Sequence, residues 1–295
     1  MNKAVMEGSE SWDLVLKPQQ SFFELNLRDI WKYRDLLWLF VRRDFVSFYK
    51  QTILGPLWFF IQPLFTTVIY TFVFGGLANI PTDGVSQPVF YMAGITAWNY
   101  FADCITKTST VFKDNVNIFG KVYFPRIIMP LSLVVSNLIR FAVQIILFLL
   151  TMAWFHWAKG DSSFYFTDYL LLFPFIVLLM ALQGLGIGMI VSAMTTRYRD
   201  LALLVLFGVQ LLMYATTVIY PLSAVVTKFQ KHPWVIRVIR YNPLTAVIET
   251  FRLGFLGHGT FTWGLLAYST VVTLIILSLG ILTFNKVERS FVDTI

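Results

Sequence analysis

The apolar residues of this chain fall in blocks separated by short polar breaks, and the blocks approach or exceed the length needed to cross a bilayer. A hydrocarbon core about 30 Å thick takes roughly 20 apolar helical residues. Blocks at residues 57–76, 89–108, 127–157, 168–194, 201–221 and 263–284 are therefore expected to be six transmembrane helices. The fold class is all-α, a polytopic membrane protein. Ahead of the first block, Leu27, Ile30, Leu37, Trp38, Val41, Phe45 and Phe48 recur at helical spacing. Arg28, Lys32, Arg34, Asp35, Arg42, Arg43 and Asp44 break every apolar run there. That pattern predicts an amphipathic helix over residues 22–51 lying in the membrane interface, ended by Gly55-Pro56. A soluble docking helix is the alternative.

A second amphipathic stretch lies between Pro221 and Gly259. Val235, Ile236, Val238, Ile239, Val247, Ile248, Phe251 and Phe255 carry the apolar pattern, and Asn242-Pro243 divides it. It predicts two short amphipathic helices dipping into the outer interface before the last span. Residues 1–21 include Glu7, Glu10 and Asp13 and lack the apolar core of a signal peptide. They are expected to be a polar cytosolic extension, with residues 22–295 forming one membrane domain.

Charge then sets orientation. The 23 Lys and Arg against 16 Asp and Glu give a net charge of +7, which on a soluble protein would suggest nucleic acid. Here the basic residues sit beside membrane segments, where they report topology and lipid contact, so no nucleic-acid partner is expected. With both termini in the cytosol, sixteen of the 23 lie on the inner side. Lys228, Lys231, Arg237, Arg240 and Arg252 run against this count, since they fall on the outer side. The single Cys104 excludes an intrachain disulfide.

Catalytic patterns are missing from the sequence. His156, His232 and His258 have no metal-ligand spacing, and Gly120-Lys121 lacks the upstream glycine and following hydroxyl of a phosphate-binding loop. No catalytic, cofactor-binding or metal site is expected, and the chain is not read as an enzyme. Polar residues inside the spans are costly and form the next candidates. Asn99, Asp103 and Lys107 share one helical stripe, and Ser132, Ser136, Arg140 and Gln144 another. They could line a pathway, or hydrogen-bond internally with an Asp103–Lys107 pair at the cytosolic end. Gly184 and Gly188 have the spacing that lets helix backbones approach, within the bundle or at a dimer seam. Aromatic residues make up 17% of the chain, more than a thin interfacial belt requires. They offer flat apolar surface to sugar rings. Thr66, Tyr70, Phe74, Trp98, Asn99, Tyr100 and Arg140 are the candidate channel-lining residues.

Residues 48–58 read FYKQTILGPLW, followed by Gln62-Pro63 and Phe74-Gly75. Further on come Lys121, Tyr123, Phe124, Pro125 and Arg126 before Pro130, then Arg197, Tyr198, Arg199 and Asp200, then Asn242-Pro243. From about Phe22 onward this series resembles the permease subunits of polysaccharide-exporting ABC transporters. The resemblance implies a homodimeric permease without its own ATPase, working with two separate ATPase subunits that hold ATP and Mg. Its substrate would be a lipid-linked glycan of O-antigen, capsule or teichoic-acid type, and its location the bacterial cytoplasmic (inner) membrane. Such a permease must receive force through cytosolic loops, for which Lys121, Tyr123, Phe124, Pro125 and Arg126, with Arg197, Arg199 and Asp200, are the candidates. An exporter of small lipophilic compounds or drugs, and an intramembrane transferase, are the alternatives.

Overall fold

The computed structural model describes residues 27–50, 55–119, 124–159, 166–196, 198 and 200–292. Among these residues the regular structure is helical throughout. Two short helices, α1 (Leu27–Lys32) and α2 (Arg34–Tyr49), precede the first span, with a break at Tyr33. The first span starts as a 3-10 turn at Gly55–Leu57, continues as α3 (Trp58–Tyr70) and widens to a π-helix over Thr71–Leu77. Then follow α4 (Gln87–Ser109), the short helices α5 (Val111–Asp114) and α6 (Val116–Phe119), and α7 (Ile128–Lys159). A 3-10 turn at Asp168–Leu172 leads into α8 (Phe173–Thr195), and α9 (Leu201–Tyr214) follows. Three short helices, α10 (Leu222–Lys228), α11 (Pro233–Arg240) and α12 (Pro243–Leu256), come before the final α13 (Trp263–Val292).

Helices reaching across Trp58–Leu77, Ile128–Ala158, Asp168–Thr195 and Trp263–Val287 are long and apolar enough to span. The second expected span, α4, is less apolar because of where it sits. Sixteen of its 23 residues are buried, so it meets protein rather than lipid on most sides. It is the central post of the domain, packed against α3, α7, α8, α9 and α12. Its partner α8 reaches it through small residues: a side chain at Gly184 or Gly188 would collide with Cys104 or Thr108. Gly186 turns the other way and touches α13, where Gly280 and Leu277 cross directly against its backbone. The glycine spacing thus serves packing inside the bundle.

Two expectations need correction. The fifth span is not one helix to Pro221. It ends at Tyr214, and fourteen residues rise only about 21 Å. Nor do two equivalent amphipathic helices lie on the outer interface. There are three pieces, and twelve of the fourteen residues of α12 are buried against α4, α8, α13 and the turn before α8. Only α11 keeps the surface character that the periodicity suggested.

Helix α2 docks on α7, burying Phe40 and Val41 while Trp38, Leu39 and Arg42 face outward. It therefore combines attachment to the bundle with an exposed apolar and basic side, as an interface helix requires.

Candidate functional site

The two polar stripes meet each other. Helices α4 and α7 run antiparallel, and their polar residues form three rungs: Asn99 Nδ2 donates to Gln144 Oε1 at 3.5 Å, Arg140 to Asp103 at 2.7 Å, and Lys107 Nζ to Asn137 Oδ1 at 2.9 Å. The Arg140 guanidinium also lies 5.0 Å from the Phe59 ring centre on α3. Inside a bilayer an unpaired charge is costly, and this ladder gives Asp103, Lys107 and Arg140 polar partners within the chain. A cavity of about 20 Å³ opens beside it, lined by Asp44 and Phe45 of α2 with Phe59, Lys107, Ser136, Asn137 and Arg140. That volume holds a single water. Asp44 Oδ2 and Asn137 Nδ2 lack protein partners, an acceptor and a donor suited to such a water. The ladder therefore borders a water-sized polar space where α2 meets three spans, α3, α4 and α7.

Tyr70 and Phe74 lie toward the other end of the first span, half-buried. They pack edge-to-face at 5.1 Å, and each ring stands 6.4 Å from Tyr91 of α4. The Tyr70 hydroxyl reaches the Met213 sulfur of α9 at 3.5 Å. Around this cluster both flanking helices leave apolar residues uncovered: Leu64, Phe65, Val68, Ile69 and Phe72 on the first span, Leu203, Leu204, Phe207 and Leu211 on α9. Thr66 is half-buried, its hydroxyl donating to the Gln62 carbonyl. Trp98 and Tyr100 instead lie inside the protomer, 5% and 2% exposed, against Phe101 and Phe141.

Of the cytosolic candidates, Phe124, Pro125, Arg126 and Asp200 are described, whereas Lys121, Tyr123, Arg197 and Arg199 lie outside the described residues. Phe124 is not an exposed knob. It is 4% exposed and sits in a chain of rings, 5.6 Å from Phe40 on α2 and 5.9 Å from Phe119 on α6. The chain runs on from Phe119 to Phe112 of α5 and ends in a 4.6 Å stack of Phe112 on Phe284 of α13. Arg126 covers the Phe119 ring at 5.6 Å. Lys113, Asp114, Val116 and Asn117 form the outward side of this segment.

At the opposite end of α4 from the ladder, sequence reasoning missed a buried ion pair. Glu249 and Arg252 of α12 approach to 3.7 Å, both side chains 1% exposed. Arg252 donates to the carbonyls of Thr217 and Val218 at 2.6 and 2.5 Å, and its guanidinium lies 3.7 Å from the Phe90 ring centre. Glu249 accepts from the backbone N–H of Leu222 and from the N–H and hydroxyl of Thr260. Asn242 caps α12 through the Leu244 N–H and donates to the Ala215 carbonyl. The carbonyls freed where α9 stops thus find donors on and beside α12, which is what non-helical backbone at membrane depth requires. Gly94 makes this possible, because a side chain there would strike the Val218 carbonyl and Arg252. One signal was available: Glu249 is the only carboxylate between Asp200 and Glu288, three residues before an arginine.

A helical bundle with a docked interface helix, paired charges inside it and an aromatic-lined apolar face defines a polytopic membrane transport domain. The chain belongs to the ABC-2 type transporter family, whose profile matches residues 35–256. It is a membrane transport subunit and not an enzyme. Among similar proteins is the O-antigen export system permease protein RfbA of Myxococcus xanthus, 28% identical over 235 residues, covering 79% of this chain and 84% of the relative. Two proteins of the same name from Klebsiella pneumoniae are 28% and 27% identical over 265 and 259 residues, each covering 88% of this chain and 94% of the relative.

Proposed function

We propose that this chain is the permease subunit of an ABC exporter that moves a lipid-linked polysaccharide, of O-antigen, capsule or teichoic-acid type, across the bacterial cytoplasmic membrane. Two copies form the route, and two ATPase subunits carrying ATP and Mg drive it from the cytosolic side, where both termini lie. The observation that carries this reading is the uncovered face of the first span and α9 around Tyr70, Phe74 and Tyr91. A hydrophilic polymer needs an enclosed path, and such a face becomes enclosed when a second copy meets it. Aromatic rings and small hydroxyls let successive sugars slide without a deep binding site. Thr66, Tyr70 and Phe74 are the lining residues on this view. Asn99 and Arg140 would reach the path only if the ladder opened, and Trp98 and Tyr100 would shape it from behind.

Coupling is assigned to residues 111–126 and to the segment holding Arg197, Arg199 and Asp200. The ATPase would press on the outward side of α5 and α6, at Lys113, Val116 and Asn117, and Lys121 and Tyr123 are further candidates for that contact. Phe124, with Pro125 and Arg126 beside it, would pass the motion to α2 through Phe40.

The decisive experiment depletes the chain in cells that display a surface polysaccharide. Lipid-linked glycan should accumulate inside while the surface polymer disappears, and Tyr70→Ala/Phe74→Ala should slow export without abolishing ATP hydrolysis. Unchanged surface polymer on depletion would sink the export reading. Topology is checked separately: cysteine at Asp83 should react with an impermeant reagent outside intact cells, and cysteine at Lys113 should not.

A further inference from the structure

The basic residues on the outer side are unexplained by transport itself, and the structure separates them into two kinds. Arg252 is buried and used by the backbone, whereas Lys228, Lys231, Arg237 and Arg240 are all exposed. None of these four makes an ion pair among the described residues. From Leu201 to Val287 the only carboxylate is Glu249, already held by Arg252. The four cations stand on a hairpin of α10 and α11 that has its own small core of Leu222, Val225 and Ile239. Ser223 ties its base to Asp83 of the outer turn, donating to that carboxylate at 2.6 Å.

Helix α11 has three faces. Ile239 points into the hairpin, Arg237 and Arg240 form a cationic strip, and Trp234 and Val238, continued by Tyr241, form an apolar strip that is 63%, 60% and 52% exposed. An uncovered apolar strip running beside a cationic one fits an acyl region below and anionic headgroups beside it. We propose that the α10–α11 hairpin is a docking surface for anionic phospholipid headgroups of the outer leaflet, gripping them through Lys228, Lys231, Arg237 and Arg240 with Trp234 and Val238 inserted. A second copy fits this surface poorly. A symmetric contact would set each arginine strip against itself, and the hairpin offers no carboxylate to relieve it. An exported hydrophilic polymer would stack at most on Trp234 and would leave Val238 bare. The proposal rests on the outer placement of the hairpin given above. A failure of that placement would appear as reversed labelling at Asp83, independently of the lipid measurement.

The test uses the full chain with its ATPase partner, reconstituted in phosphatidylcholine vesicles with or without phosphatidylglycerol. A bimane fluorophore is placed at Val238→Cys; Cys104 is fully buried and does not compete for label. Brominated lipids and aqueous iodide serve as quenchers. Quenching by brominated lipid is expected, with brominated phosphatidylglycerol acting roughly fivefold more effectively than brominated phosphatidylcholine, about the gain of one engaged cation. Lys228→Gln/Lys231→Gln/Arg237→Gln/Arg240→Gln should bring the two to parity while leaving the complex assembled, since all four side chains are exposed. Equal quenching by the two lipids in the parent overturns the headgroup assignment. Quenching by iodide alone means the strip faces water or polymer, and quenching by neither means a second copy covers it; both overturn the proposal.

Discussion

Two charge pairs lie toward opposite ends of α4, and they are built differently. The outer pair, Glu249–Arg252, is sealed at 1% exposure, and most of its hydrogen bonds go to backbone. The inner pair, Asp103–Arg140, is about a quarter or less exposed, joins side chain to side chain and borders a small polar cavity beside α2. A pair spent on backbone fixes where the chain goes, while a pair between side chains beside a water-sized space can exchange partners. The first arrangement suits a rigid end of the fold, and the junction under α2 suits movement.

The largest effect is expected at the rigid end. Arg252→Met leaves Glu249 without its counter-charge and two carbonyls without their donor in a dry site, and should cost about 3–5 kcal/mol. Thermal unfolding of the detergent-solubilised protein measures it, and Arg252→Lys should recover little because one ammonium cannot reproduce the forked contacts. A fall in stability no greater than that of an exposed arginine, such as Arg240→Met, would remove the distinction between the two ends. Next comes the α8–α13 crossing. Gly280→Val forces a side chain onto the Gly186 backbone and should cost about 1–3 kcal/mol, read as a drop in Tm. The inner ladder should give less. In a double-mutant cycle, Asp103→Asn and Arg140→Gln are expected to couple by about 1 kcal/mol in stability, since neither group is sealed from water. Their combined effect should be clearer in export than in Tm, if partner exchange at this junction matters. The smallest stability change belongs to Val116→Asp on the outward side of α6. It should leave the unfolding free energy within about 0.5 kcal/mol of the parent while lowering ATPase co-purification and coupled hydrolysis.

The six apolar blocks, the interface helix and the glycine spacing were all readable in the sequence, because length, period and side-chain size are local properties. The two polar stripes were readable too, each on its own helix. That they face each other was not, since helical spacing gives a face and never its partner. The same limit explains Phe124: an aromatic residue in a loop looks like a free knob until Phe40 and Phe119, distant in sequence, close over it.

What the sequence determined by itself is the medium this protein lives in. A bilayer imposes one rule on every residue it touches, so runs of apolar residues suffice to mark the segments that meet it. What only the tertiary structure decided is the centre and the outer end. Helix α4 could be polar because its neighbours take the place of lipid, and α9 could stop at Tyr214 because Arg252 and Asn242 arrive from elsewhere to receive its free carbonyls. Both are contacts between segments far apart in the chain, and burial of that kind is a property of the assembled bundle rather than of any stretch of sequence.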